Sequence, residues 1–206
     1  MSLRIVVTCG PSYEPIDEVR RITNSSTGKL GALLSEGLAA QGHRVQCLRG
    51  DMATWPAPAA PVEVISFSTN DHLLSRLQSL AEPEKVNVVL HAAALADFTV
   101  RRDSTARKLC SRSGELMLTL MPATKLISRL RALFPAAKIV GWKYELDGTR
   151  EDVISRGQSQ IANNRTDACI LNGAAYGRGF GALLPDGSCT HLKGSAALCD
   201  WLLKWI

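Results

Sequence analysis

An apolar, largely β-branched run, Leu3–Cys9, stops at Gly10-Pro11, and this start constrains the fold more than any other feature of the chain. With Arg4 as its one charge, the run suits a strand covered on both faces, as in a parallel sheet. Parallel strands need long crossover connections, usually helices. From Gly28 to about Ala40 the apolar residues Leu30, Leu33, Leu34 and Leu38 recur at a helical period, and Gly42 ends the segment. A strand at Arg44–Leu48, a proline-rich surface connection over Asp51–Pro61 and a strand at Val62–Phe67 follow. Asn70 or Asp71 caps a helix to about Ala81, with Pro83 as its stop, before a strand at Val86–Ala92. Lys108–Cys110 and Leu116–Leu120, separated by a Ser-Gly turn, read as a hairpin, and Pro122 starts a helix ending near Phe134. Then come a strand at Lys138–Trp142, a helix at Arg150–Ala162 and a strand at Asp167–Leu171. Glycine-rich residues 173–181, a hairpin around Pro185-Asp186-Gly187 and a last helix close the chain. This order specifies an α/β, Rossmann-like three-layer fold: a mostly parallel sheet, helices on both faces, and a small antiparallel hairpin or lid. No repeat or composition break divides residues 1–206, which are expected to form one domain.

Composition narrows the function classes. Hydrophobic residues make up 46% and charged residues 21%, ordinary values for a soluble globular chain. No apolar run approaches the roughly 18 residues that span a bilayer. The opening MSLRIVVTCG reads as a strand and not as a signal peptide, so the cytoplasm is the expected compartment. Six cysteines without a C-x-x-C pair, several inside strand-like runs, read as reduced thiols packed as small hydrophobes. No Cys/His cluster has metal-ligand spacing, so no side-chain metal site is expected. The net charge of +5 comes without a basic run or a basic–aromatic stripe, which argues against nucleic acid and fits an anionic small molecule.

In doubly wound sheets ligands bind beyond the carboxyl ends of the strands. The irregular segments 10–27, 93–107, 141–149 and 172–181 each follow a predicted strand and should converge on one mouth. Within the first, Asn24-Ser25-Ser26-Thr27-Gly28-Lys29-Leu30-Gly31 sets hydroxyls and glycines before a helix N-terminus. Outward amides and the positive end of the helix dipole suit a phosphate there, with Lys29 adding charge, and an ordinary Ser/Thr-rich cap is the competing explanation. The P-loop pattern fails because Leu30 follows Lys29, and the dinucleotide glycine pattern fails because Pro11-Ser12 follows Gly10.

TCGPSYEPIDEVRRITNSSTGKLG (residues 8–31) resembles the N-terminal signature of the phosphopantothenate–cysteine ligase family, which has a T-x-E-P-I/L-D-x-V-R segment followed by S-N-x-S-S-G-K-x-G. HAAALADF (91–98) is similar to the family's A-A-V-A-D-Y, Lys108 opens KLCS where a lysine-rich stretch is usual, and MPATKL stands at K-N-P-D-I. Gly141-Trp142 matches G-F, and residues 167–172 match D-x-I-x-x-N. The resemblance implies a single nucleotide-binding ligase domain that activates the carboxylate of 4′-phosphopantothenate with CTP or ATP and Mg²⁺, releases pyrophosphate, and passes the acyl group to cysteine. It implies catalytic roles for Asn24 and for Lys108 on a closing polar lid, 96–107. It implies nucleotide contacts from Gly10, Ser26, Gly28, Lys29, Gly31, Trp142 and Asn172, and substrate contacts from Ala93, Ala94 and Asp97. A homodimer, in which the neighbouring subunit completes the substrate site, is also implied.

Departures from the pattern are specific. Cys110 and Ser111 replace later lid lysines, Lys143 and Tyr144 replace small residues, and Gln160 and Asn164 stand where CTP-using members often carry lysines. A non-catalytic or drifted nucleotide-binding protein of the same fold is therefore the main alternative. A short-chain oxidoreductase is less favoured: Tyr13, Tyr144 and Tyr176 are followed four positions later by Asp17, Gly148 and Phe180, never by lysine.

Overall fold

The computed structural model describes residues 1–81, 86–101, 107–110, 112 and 114–206; Pro83, Ser111 and most of the polar run 96–107 beyond Arg101 lie outside them. β1 (Arg4–Cys9) is followed by a small antiparallel pair, β2 (Tyr13–Pro15) and β3 (Arg21–Thr23), inside the first long connection. Next come α1 (Lys29–Ala40), β4 (Arg44–Gly50), β5 (Glu63–Phe67), α2 (Asn70–Ala81) and β6 (Val88–His91). β7 (Phe98–Arg101) and β8 (Thr119–Pro122) form a separate antiparallel flap. The second half runs α3 (Ile127–Leu133), β9 (Lys138–Tyr144), α4 (Arg150–Asn164), β10 (Ala168–Asn172), β11 (Phe180–Leu183), β12 (Cys189–Leu192) and α5 (Ser195–Trp205).

The main sheet has the order β12-β11-β10-β9-β6-β1-β4-β5. Its six strands from β5 to β10 are parallel, and β11 and β12 add an antiparallel edge. Strand order reverses at β1, which lies between β4 and β6, and this places the ligand crevice beyond Cys9 and His91. Alternation along β1 builds the layers. Ile5, Val7 and Cys9 face a cluster with Leu34 and Leu38 of α1 and Leu198 and Leu202 of α5. Val6 faces the opposite cluster with Leu73 and Leu77 of α2 and Leu130 of α3. Each fully buried leucine contributes about 1.5–3 kcal/mol of transfer free energy. A third cluster under α4 joins Val153 and Ile161 to Leu171 and Leu183. Thr149 and Asp152 close a reciprocal capping box at the start of α4.

Two sequence expectations need correction. The flap pairs Phe98–Arg101 with Thr119–Pro122, with Phe98 opposite Pro122, and not Lys108–Cys110 with Leu116–Leu120. A Ser-Gly turn is a local signal, whereas this pairing bridges a long connection that no local pattern marks. Pro122 ends β8 instead of starting a helix, and α3 begins only at Ile127. Of the four residues between, Thr124, Lys125 and Leu126 line a cavity at the crevice.

Candidate active site

The N-terminus of α1 is open. Gly28 precedes it with φ +77°, no side chain caps it, and its first turn holds no acid. Ser26 Oγ and Thr27 Oγ1 accept from the amides of Gly28 and Lys29 at 3.4 and 3.3 Å, so these hydroxyls serve the turn and the first residue of α1 and leave the next amides for another acceptor. Local capping accounts for these two amides alone. A cavity of about 360 Å³ opens there, with Cys9, Gly10, Ser26, Gly28, Lys29 and Gly31 in its wall. Phe180 and Ser195 close its far side. Ser195 starts α5, whose N-cap Gly194 likewise supplies no side-chain cap and whose first turn has no acid. Two uncapped positive helix ends thus meet one cavity.

Glycine is required here for two different reasons. Gly10 and Gly28 hold left-handed backbone, φ +76° and +77°, and a Cβ on either would come within 2.8–3.0 Å of Ala53 Cβ. At Gly31 an added Cβ would lie 2.2 Å from Cys9 Cβ, because α1 rests directly on β1. Lys29 Nζ sits 4.3 Å above the Trp55 ring at the cavity mouth. The backbone of Trp55 is fixed by its amide to Thr27 O at 2.9 Å and by Arg49 Nη2 to its carbonyl at 2.6 Å. Sequence reasoning left Trp55 in a surface connection; a lone aromatic among prolines was its only signal.

On the opposite face of the sheet a second cavity, about 180 Å³, is lined by His91, Ala93, Asp97, Lys125, Trp142 and Gln160. Asn24 is bonded to two residues of its wall: Nδ2 donates to Leu95 O at 2.8 Å and reaches Asp97 Oδ2 at 3.4 Å. Asp97 is ion-paired with Lys125, which holds its carboxyl below the usual range with help from Asn24 and Lys143. Lys125 stands in MPATKL, a stretch the family pattern matches, but that match gave it no role. Ala93 lines the cavity, whereas Ala94 spends both backbone groups on the first loop, its amide on Gly10 O at 3.0 Å and its carbonyl on Ser12 N at 3.2 Å.

Trp142 and Asn172 lie apart from the α1 cavity wall. Trp142 packs against the α1/α5 core cluster, and its indole Nε1 is buried without a partner among the described residues. Asn172, whose Oδ1 is buried and also unpartnered among them, borders a third cavity of about 540 Å³ with Tyr144, Arg178 and Lys193. Phe180 borders both this cavity and that at α1. Gln160 is committed to the fold, donating to Trp142 O at 3.1 Å and accepting from Cys169 Sγ at 3.1 Å.

Lys108 is exposed and lines none of these three cavities, but its neighbours are clamped. Asp17 accepts from Leu109 N at 3.1 Å, Arg20 Nη1 donates to Leu109 O at 3.2 Å, and Glu18 N donates to Arg107 O at 3.0 Å. Burial would raise the Asp17 carboxyl, but the amides of Leu109, Val19 and Arg20 and the Arg20 guanidinium outweigh it and hold it at about 2. The clasp therefore stays charged at neutral pH. Among the described residues no helix is long and apolar enough to cross a membrane, and no group of three or more His, Cys, Asp or Glu is placed to hold a metal.

The family model described as the DNA/pantothenate metabolism flavoprotein C-terminal domain matches residues 1–196. The chain belongs to this family. As a member of this flavoprotein C-terminal domain family, it is 32% identical over 170 residues to the coenzyme A biosynthesis bifunctional protein CoaBC of Thermococcus kodakarensis, covering 82% of this chain. It spans only 41% of that relative's length. The solved DNA/pantothenate metabolism flavoprotein from Streptococcus pneumoniae shares the fold with a TM-score of 0.86 at 23% identity, covering 99% of this chain and 98% of that one. A Cab2 mutant in complex with phosphopantothenate-cysteine gives a TM-score of 0.76 at 18% identity, covering 98% and 88%.

Proposed function

We propose that residues 1–206 act as one ligase domain that joins 4′-phosphopantothenate to cysteine through an acyl-nucleotide, with CTP or ATP as co-substrate, in the cytoplasm. The observation that carries this reading is the uncapped N-terminus of α1 opening on a cavity while Asn24, four residues before Gly28, bonds through its carboxamide to Leu95 and Asp97 in the wall of the cavity across the sheet. The relatives' role in coenzyme A biosynthesis and a relative's complex with phosphopantothenate-cysteine support it.

In this mechanism the first-turn amides of α1, Gly10, Ser26, Gly28 and Lys29 hold phosphate oxygens, and Gly31 lets the helix sit close enough to present them. Trp142 and Asn172 serve the nucleoside. Ala93, Ala94 and Asp97 hold the pantothenate moiety, Ala94 by fixing the first loop. The carboxylate attacks the α-phosphorus, and pyrophosphate leaves; the cysteine amine then attacks the acyl carbon, the nucleoside monophosphate leaves, and the amine's proton passes to solvent. Asn24 Nδ2 donates to the acyl oxygen in both half-reactions, a donor that does not titrate. Lys108 adds positive charge to the activated group from the clamped segment. With no carboxylate cluster among the described residues, Mg²⁺ would be held chiefly by the triphosphate, where it supplies charge neutralisation. Incubation with 4′-phosphopantothenate, cysteine, Mg²⁺ and each nucleotide is expected to release pyrophosphate with CTP or ATP. Binding of a nucleotide without release would favour the non-catalytic alternative.

The flap and the residues that lead into β8 support a homodimer. Phe98, Leu116, Met117, Leu120 and Met121 are 48, 52, 92, 43 and 48% exposed, an apolar surface of the kind that marks an interface. Because these side chains do not pack in the core, Met117→Glu with Leu120→Glu is expected to yield a folded monomer by light scattering. A dimer unchanged by both charges would place the interface elsewhere.

A further inference from the structure

His91 ends β6 at the crevice and takes no part in the mechanism above. It is 7% exposed and forms part of the wall of the Asn24 cavity. Its Nδ1 lies 2.9 Å from Thr8 Oγ1 on the neighbouring strand, with which it is in register. Thr8 is fully buried, and its Oγ1 already accepts the Ala93 amide at 3.2 Å. Its hydroxyl proton therefore has His91 Nδ1 as its acceptor among the described residues, because a buried hydroxyl left without one is costly. Nδ1 is then an acceptor, and Nε2 carries the proton. No partner for Nε2 is found among the described residues, and the ring edge opposite Thr8 faces the cavity.

We propose that His91 is a carbonyl-recognising residue whose Nε2–H, held in that tautomer by Thr8, donates to the oxygen of the acyl group activated beside Asn24. The proposal rests on the reading that the acyl substrate occupies this cavity. Burial pushes the imidazole down to about 4, so it is neutral at neutral pH. A neutral N–H suits an uncharged oxygen on which negative charge develops, and it stabilises that charge without first binding an anion. The carboxylate nearby is not its partner, since Asp97 is paired with Lys125. Asn24 Nδ2 and His91 Nε2 then form two uncharged donors at one cavity, and neither titrates near pH 7. A nucleobase carbonyl shares this chemistry, so the test must separate the two sources.

Histidine ¹⁵N shifts of the whole protein should show His91 as the neutral Nε2–H tautomer at pH 6–8, and Thr8→Val should abolish that single tautomer while Thr8→Ser keeps it. His91→Leu should lower the turnover for pyrophosphate release by on the order of 10²-fold with the nucleotide KM unchanged, and His91→Gln, a neutral donor, should recover part of it. An Nδ1–H tautomer, a charged ring at pH 7 or wild-type turnover in His91→Leu would overturn the proposal. A raised nucleotide KM with intact turnover would move the carbonyl to the base and overturn the acyl assignment. If the wild type releases no pyrophosphate the ligase reading fails by itself. Calorimetry with the carboxyl methyl ester of 4′-phosphopantothenate, which presents an uncharged acyl oxygen, then decides for His91, whose assignment requires weaker binding in His91→Leu than in His91→Gln.

Discussion

Asn24→Asp is expected to lower ligation by about 10²–10³-fold, the usual cost of removing one preorganised donor from an acyl-transfer site, while nucleotide binding is largely retained. The substitution keeps the size of the side chain and exchanges its donor for an acceptor. Where Nδ2 now donates to Leu95 O at 2.8 Å, an oxygen would face an oxygen. It would also set a second carboxylate 3.4 Å from Asp97, drawing on the charge that Lys125 supplies. The cavity proposed for the nucleotide lies on the other face of the sheet, bounded by Gly28, Lys29 and Ser195, and is not touched. Calorimetric titration with CTP and ATP alongside pyrophosphate release separates the two effects. Equal loss of binding and turnover, with folding intact by circular dichroism, would reduce Asn24 to a loop-fixing residue.

The framework was legible because its signals are local and repeated. Ile5, Val7 and Cys9 alternate with Val6 and Thr8, and Leu30, Leu34 and Leu38 recur at a helical period, so pattern alone placed β1 and α1. The meeting of 10–27 with the described part of 93–107 followed from topology, since both leave adjacent parallel strands at the same edge, whereas Tyr144, Asn172 and Gly173 line a third cavity. What escaped depends on contacts between distant segments. Nothing local tells Lys125 that Asp97 lies opposite, or Trp55 that Lys29 will stack on it. His91 reads as the end of an apolar strand until Thr8, in register on β1, fixes one of its nitrogens. The flap register was misread because Phe98–Arg101 is partly polar and its partner lies beyond the long connection. Gly31 shows the converse: the motif marked it correctly as special, but the structure adds a packing reason that the motif does not contain.

That reason makes Gly31→Ala a strongly disruptive small substitution. The new Cβ would stand 2.2 Å from Cys9 Cβ, and neither atom is the free end of a flexible side chain. Relief requires α1 to move off β1, and overpacking of this kind costs about 1–3 kcal/mol or more. At about 2–4 °C per kcal/mol for a chain of this size, the melting temperature should fall by several degrees. The same movement would carry the first-turn amides away from the cavity that Gly28 and Lys29 line, so nucleotide affinity should fall with stability. Two controls separate this contact from general intolerance. Gly42→Ala, at φ +83° with nothing within 4 Å of the added Cβ, should cost only the left-handed backbone strain of about 1–2 kcal/mol and leave nucleotide binding intact. Cys9→Gly with Gly31→Ala removes the opposing Cβ and should destabilise less than the sum of the two single changes. A Gly31→Ala protein that melts and binds nucleotide like the wild type would mean that α1 does not lie against β1 as closely as this geometry requires.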